Sequence, residues 1–382
     1  MAAGGMTTRL RAIDALRGMV MLFMLLDHVR ETFYLHHQVT DPMDAQSIDP
    51  ALFFTRLTSQ ICAPVFIGLT GVSAWLYGRT HDRRDTALFL VKRGGFLILL
   101  ELTLVGFAWT AQFPPTTFWL QVIWCIGWCM IALAALMHLP RPLVLGLGAA
   151  IIGGHDLLDG VVLTPEAPFF PLWAVLHQRA VIDLGGGMAA KTTYPILPWI
   201  GVILLGYGIG PWFSAEVTPA IRLRNLWRTG LALTATFFLL RGLNLYGDKP
   251  WTPDDSPLRS AMSFLALTKY PPSLLFLLST LGPGLFLLAA LERIERSRLV
   301  ALLAVLGGAP MFFYLLHLYV LKTLYLVAIS LWGTDQGTLF GFETVRPVWA
   351  TAVLLIVPLY FPTRWFADLK RRRRDLRWLS YW

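Results

Sequence analysis

Apolar stretches of about bilayer length recur from one end of the chain to the other, each closed off by basic or turn-forming residues. Crossing the hydrocarbon takes about 20 residues of helix. Backbone N–H and C=O groups find no water there, so each stretch must bond internally as a helix. About ten candidate spans result: Asp14 to Tyr34, Leu52 to Gly78, Leu88 to Trp109, Phe118 to His138, Leu143 to Gly154, Ile196 to Phe213, Leu226 to Leu245, Ser273 to Leu291, Gly308 to Trp332 and Val348 to Trp365. The fifth is short and glycine-rich. Only 14% of the 382 residues are charged and 56% are hydrophobic, where a soluble domain carries about a quarter charged. The expected fold class is therefore an all-α integral membrane protein, a single domain over 1–382 with a basic tail at 366–382.

The formal net charge of +9 could indicate a nucleic-acid partner. The basic residues instead fall between apolar segments, so no nucleic acid is expected and the charge reports topology. With the N-terminus inside, roughly two-thirds of the lysines and arginines lie on the cytoplasmic side, which places both termini there. Arg9 and Arg11 before an apolar stretch resemble the start of a signal peptide, but Asp14 and Arg17 interrupt it, so an uncleaved first span is expected. The run Lys370 to Arg374 suits a stop-transfer anchor beside anionic lipid. Two long outer connections, 155–195 and 246–272, are rich in Pro, Gly and aromatic residues and suit ordered caps over the outer mouth. Cys62, Cys125 and Cys129 lie in apolar runs without CxxC spacing and are expected to be buried small side chains.

Ionisable residues within spans are expensive to bury and mark functional candidates. On the first span, Arg17 and His28 fall about 20° apart around the helix and about 16 Å apart along it, with Asp14 and Glu31 about 60° and 40° off that line. This stripe could line a path between the two halves of the membrane. A guanidinium near the inner mouth suits a phosphate, so Arg17, with Asp14 beside it, is the candidate cofactor-binding group. A deeper imidazole can take and return a proton, so His28 is the candidate catalytic base, with Asp27 or Glu31 to orient it. An interfacial Asp14–Arg17 pair and a headgroup-level His28 are the structural alternative.

Elsewhere, Gln60 is a polar group about a turn before Pro64, while Gly68, Gly71 and Ser73 permit close helix packing. Glu101 is intramembrane, with Arg17 or Lys322 as possible partners, and Tyr314 and His317 share a helix face. Gln60, Glu101, Tyr314 and His317 are the candidate lining residues. His155, Asp156 and Asp159 have a faint metal-like spacing but suit a solvated loop, so no metal is expected. No P-loop, GxSxG, HExxH or strand-to-helix GxGxxG occurs. A transporter or flippase for a polar metabolite would use the same polar path, and TYPILPWIG and STLGPGLF would suit its broken helices.

The stretch RLRAIDALRGMVMLFMLLDHVRETFY resembles the bacterial relatives of the heparan-α-glucosaminide N-acetyltransferase family. The likeness continues through DPALFFTRLTSQICAPVFIGLTGVSAWL, YPILPWIGVILLGYGIG, YPPSLLFLLSTLGPGLFLLA and GGAPMFFYLLHLYVLK, in family order from Arg9 to about Lys322. It implies a multi-pass protein of the cytoplasmic (inner) membrane that takes acetyl-CoA from the cytosol as acyl donor and acylates an amine or hydroxyl of a sugar or glycan on the far side. An Arg-Gly then His pattern on the first span is associated with catalysis in the broader group, and Arg17, Gly18 and His28 look like its counterparts. Gln60 departs from the Asp or His that relatives often carry before the APVF-like proline. His36 and His37 lie in the first far-side loop, where the glucosamine-acetylating enzyme is associated with a further histidine. Activity toward glucosamine is therefore not implied, a catalytically dead scaffold is a third reading, and a homodimer is left open.

Overall fold

Length, caps and breaks divide the apolar stretches into helices differently from hydropathy alone. The computed structural model describes residues 11–373 and 375–382; Arg9 and Arg374, assigned above to the inner side, lie outside them. Helix α1 (Arg11–Phe33) is followed by α2 (Pro50–Thr58) and α3 (Cys62–Gly78). The Asp49 carboxylate caps α2 by accepting from the Leu52 N–H. The expected second span is thus two helices, with Gln60 at the break.

Helix α4 (Arg83–Leu100) passes through a π-helical turn (Glu101–Val105) into α5 (Gly106–Thr110). Strand β1 (Thr117–Leu120) precedes α6 (Val122–Leu136), so the fourth span begins after Phe118, which lies in the strand. Helix α7 (Arg141–Gly154), a 3-10 turn (His155–Leu158), α8 (Phe170–Leu176), β2 (Val181–Gly185), β3 (Met188–Thr192) and α9 (Leu197–Ile209) follow. Then come α10 (Pro219–Leu243), α11 (Pro257–Leu265), α12 (Leu274–Arg293), α13 (Arg298–Gly307), α14 (Pro310–Trp332) and α15 (Val345–Arg372).

The all-α expectation needs one correction. A three-stranded sheet in the order β1-β3-β2 joins the connection before α6 to the segment between α8 and α9. β1 pairs in parallel with β3, from Thr117 opposite Ala189 to Leu120 opposite Thr192, and β2 pairs antiparallel with β3. Both long connections expected to be ordered contain regular structure. Helix α13 was not anticipated, because a 10-residue helix that starts at Arg298 and ends in Gly307 fails any bilayer-length criterion.

The protein is mainly helical, and among the described residues four helical stretches are long and apolar enough to cross a membrane: 50–78, α12, α14 and α15. Helix α12 runs unbroken through Pro283, so this segment is not the pair of half-helices a transport pathway would favour. Helix α1 packs against α3, α12, α13, α14 and α15, which explains its long buried list of apolar residues despite its charges.

Close approach depends on glycine where helices cross. A Cβ on Gly18 would overlap the Leu303 carbonyl, and one on Gly307 would overlap the carbonyl of Asp14. Between α3 and α9, Gly71 and Gly206 meet opposing backbone in the same way, as the small-residue pattern leads one to expect. All three cysteines are free and buried.

Candidate active site

Helices α1 and α14 bring two distant histidines into contact. His28 Nδ1 lies 2.6 Å from His317 Nε2 and the rings stack at 4.9 Å. The other His317 nitrogen, Nδ1, is 2.8 Å from the Phe313 carbonyl oxygen. A carbonyl only accepts, so His317 Nδ1 carries the proton and donates to it. In the neutral pair, His317 Nε2 therefore accepts, and His28 Nδ1 must be the donor. His28 Nε2 is left with its lone pair, the form in which an imidazole removes a proton. Trp109 and Tyr314 meet the His28 ring edge-on at 5.1 and 5.9 Å, and His317 is fully buried.

His28 borders a cavity of about 120 Å³, room for a few waters or a short acyl group. Its wall includes Asp27, Tyr314, Ser59, Cys62, Tyr194, Lys269, Thr70 and Arg93. Tyr194 is delivered by the sheet, since its N–H donates to the Leu120 carbonyl of β1. Near His28, Asp27 accepts from Arg30 Nε at 3.0 Å and from Arg56 at 2.5 Å. Arg56 also donates to Ser59 at 3.1 Å, and Arg30 donates to Glu31 at 3.0 Å. Lys269 is buried and stands over the Tyr270 ring at 5.2 Å, while its backbone N–H donates to Asp41 in the first connecting loop. Burial raises the Asp41 carboxyl above the usual range, opposed by that N–H and the Lys269 charge. Asp27, Glu31 and Asp41 thus share this region with the cations Arg30, Arg56 and Lys269. Arg93 lines the cavity as well, and its buried Nε makes no hydrogen bond.

His28, Tyr314 and Asp27 therefore meet at one cavity, with His317 buried against His28 and off the wall, while the other candidates are placed differently. Asp27 and Glu31 do not orient His28. Neighbours along a helix project about 100° apart, so Asp27 faces Arg56 of α2 while His28 faces α14, and Glu31 is paired with Arg30. Arg17 bonds Asp14 at 3.0 Å, Ser73 and the Leu69 carbonyl of α3. Neither Arg17 nor Asp14 is on the cavity wall, although Arg17 is close enough to Arg93 to repel its charge. Asp14 instead borders a separate hollow of about 480 Å³ with Arg11, Lys370 and Arg371.

Gln60 faces another, mainly apolar hollow beside Phe23, Ile61 and Pro283. His36 and His37 are absent from the His28 cavity wall. Glu101 is absent from the wall of the His28 cavity and pairs with neither Arg17 nor Lys322. Its carboxyl oxygen accepts from the Ile123 and Trp124 N–H groups at 3.0 and 3.1 Å, satisfying the buried N-terminus of α6 where acceptors are favoured. Lys322 donates to the Trp109 carbonyl. Glu101→Leu should destabilise the protein by about 1–2 kcal/mol, while Glu101→Gln, which keeps an acceptor, should melt near wild type. Equal melting of both variants in detergent would refute the cap.

Residues 9–246 match the family model described as heparan-alpha-glucosaminide N-acetyltransferase, catalytic. The chain belongs to this family. Membership makes it a membrane protein of an acetyltransferase family. The heparan-α-glucosaminide N-acetyltransferase match covers His28, Asp27, Arg56 and Arg93, whereas Lys269, Tyr314 and His317 lie beyond it. No curated protein matches the chain. Arg93, Lys269 and Arg56 belong to the basic residues that the sequence pattern alone reads as topology. Arg93 carried a usable signal, because it falls inside the expected third span, Leu88 to Trp109.

Proposed function

We propose that this family member transfers an acetyl group from acetyl-CoA, supplied from the cytosolic side, to an amine or hydroxyl of a sugar or glycan on the far side. The observation that carries this reading is the His28–His317 pair, whose hydrogen-bond order leaves His28 Nε2 basic at the wall of an acyl-sized cavity. His28 takes the proton of the acceptor N–H or O–H as that atom attacks the thioester carbonyl. The C–S bond breaks, and the proton passes to the departing CoA sulfur. His317 holds the ring in its orientation and shares the imidazolium charge while the proton resides on His28. Arg93, with Arg17 near it, supplies positive charge at the other end of the cavity for the donor's phosphates.

Membranes containing the chain should transfer label from acetyl-CoA to an amino sugar or glycan pool, and purified protein should bind acetyl-CoA saturably. Absence of such binding, with substrate counterflow in liposomes, would replace the enzyme by a transporter. Arg93→Gln should raise the KM for acetyl-CoA about tenfold or more with a smaller change in kcat, as expected when an interaction common to ground and transition states is lost. An unchanged KM would remove Arg93 from donor binding.

A further inference from the structure

We infer that His155, Asp159 and His177 form a binding site for a divalent transition metal of the zinc class, on the connecting segments away from the dyad. Each residue offers one ligand atom, and these atoms lie within 4.8 Å of one another. His155 opens the 3-10 turn after α7, Asp159 follows that turn, and His177 stands just past α8. The chain therefore brings the third group in from 18 residues beyond Asp159.

A second observation is independent of the clustering. His155 is 2% exposed, and neither of its ring nitrogens has a hydrogen-bond partner. A buried polar group in that condition loses its hydration without replacement, which coordination by one nitrogen would offset. Asp156 Oδ1, 3.3 Å from His155 Nδ1, is placed to take the other nitrogen's proton as an outer partner that fixes the ring. His177 is almost as deeply buried, has an unpartnered Nδ1, and lies 3.0 Å from Asp159 through Nε2.

Ligand atoms held at about 2.0–2.2 Å from a tetrahedral ion lie about 3.4 Å apart, so a modest contraction of the group completes the site. Two imidazoles and one carboxylate suit zinc and its neighbours rather than magnesium or calcium, which prefer all-oxygen sets. The Asp159 side chain is 60% exposed and borders an open hollow, leaving a fourth position for water. Bound there, the ion clips the end of α7 to the end of α8 and fixes the segment that carries β2 and β3. This reverses the expectation of no metal, which rested on a spacing that could not include His177.

The test uses the full chain in detergent, free of any histidine tag, stripped with chelator and titrated with zinc. Wild type should retain one zinc per chain after desalting, and cobalt in its place should give the visible absorption of a tetrahedral ion. Asp159→Asn, a change at an exposed side chain, should weaken binding by about tenfold or more, and His177→Gln should remove the cobalt spectrum. The proposal is overturned if wild type retains no zinc, or if Asp159→Asn binds it as tightly as wild type. If His177→Gln fails to fold, the Asp159→Asn comparison decides.

Discussion

Acetyl transfer by the His28→Ala protein should fall by about a hundredfold to ten-thousandfold, the range for losing a positioned general base, while acetyl-CoA binding persists. The partner histidine refines this expectation. In His317→Gln the amide oxygen can still accept from His28 Nδ1, so the tautomer survives and the loss should be nearer tenfold. In His317→Leu no acceptor remains, His28 is free to reverse its tautomer, and the loss should approach that of His28→Ala. Single-turnover transfer of labelled acetyl, normalised to bound acetyl-CoA, measures all three. Turnover of His28→Ala within twofold of wild type would exclude the dyad as the reacting centre, and equal losses in both His317 variants would exclude the tautomer argument.

Gly307→Leu should cost at least about 3 kcal/mol, the upper end for overpacking, and leave little monodisperse protein. The new Cβ meets the backbone carbonyl of Asp14, and no side-chain rotation can relieve a clash with main chain. Gly18→Ala meets the Leu303 carbonyl on the facing helix and should behave alike. Gly146→Ala, which adds a methyl to open space, serves as the control. Size-exclusion profiles and melting in detergent should separate the first two from the third. Wild-type melting of Gly307→Leu would show that α1 and α13 do not approach as closely as described.

The Gly18 result bears on what a motif conveys. Arg17, Gly18 and His28 resemble a catalytic signature, yet Gly18 is explained by the helix crossing and Arg17 by its bonds to Asp14 and α3. Only His28 of the three reaches the cavity wall. The mainly helical character was legible because hydrocarbon leaves the backbone little choice, while of ten expected spans four described helical stretches have the length and apolarity to cross. The pairing of His28 with Tyr314 and His317 was half legible, since the residues stood out as intramembrane polar groups although nothing in the sequence joined them. Asp27 and Glu31 were assigned to His28 by nearness along the chain, but the helix turns Asp27 toward α2 and Arg30 takes Glu31. Lys269 and His177 come from connections whose paths depend on pairings far away in sequence. The strand nature of Phe118 depends likewise on β3, about seventy residues later.

The Glu101 contact also implies an order of events during synthesis. A carboxyl group entering hydrocarbon on the turn after α4 alone would have no partner, at a cost of a few kcal/mol. The first backbone donors of α6, entering alone, would be equally unmatched. Each segment supplies what the other lacks, and Gly94 and Gly127 let the two backbones touch along the same seam. The pair therefore gains most by inserting together as a hairpin, with the connection that becomes β1 free to pair once β3 has been made.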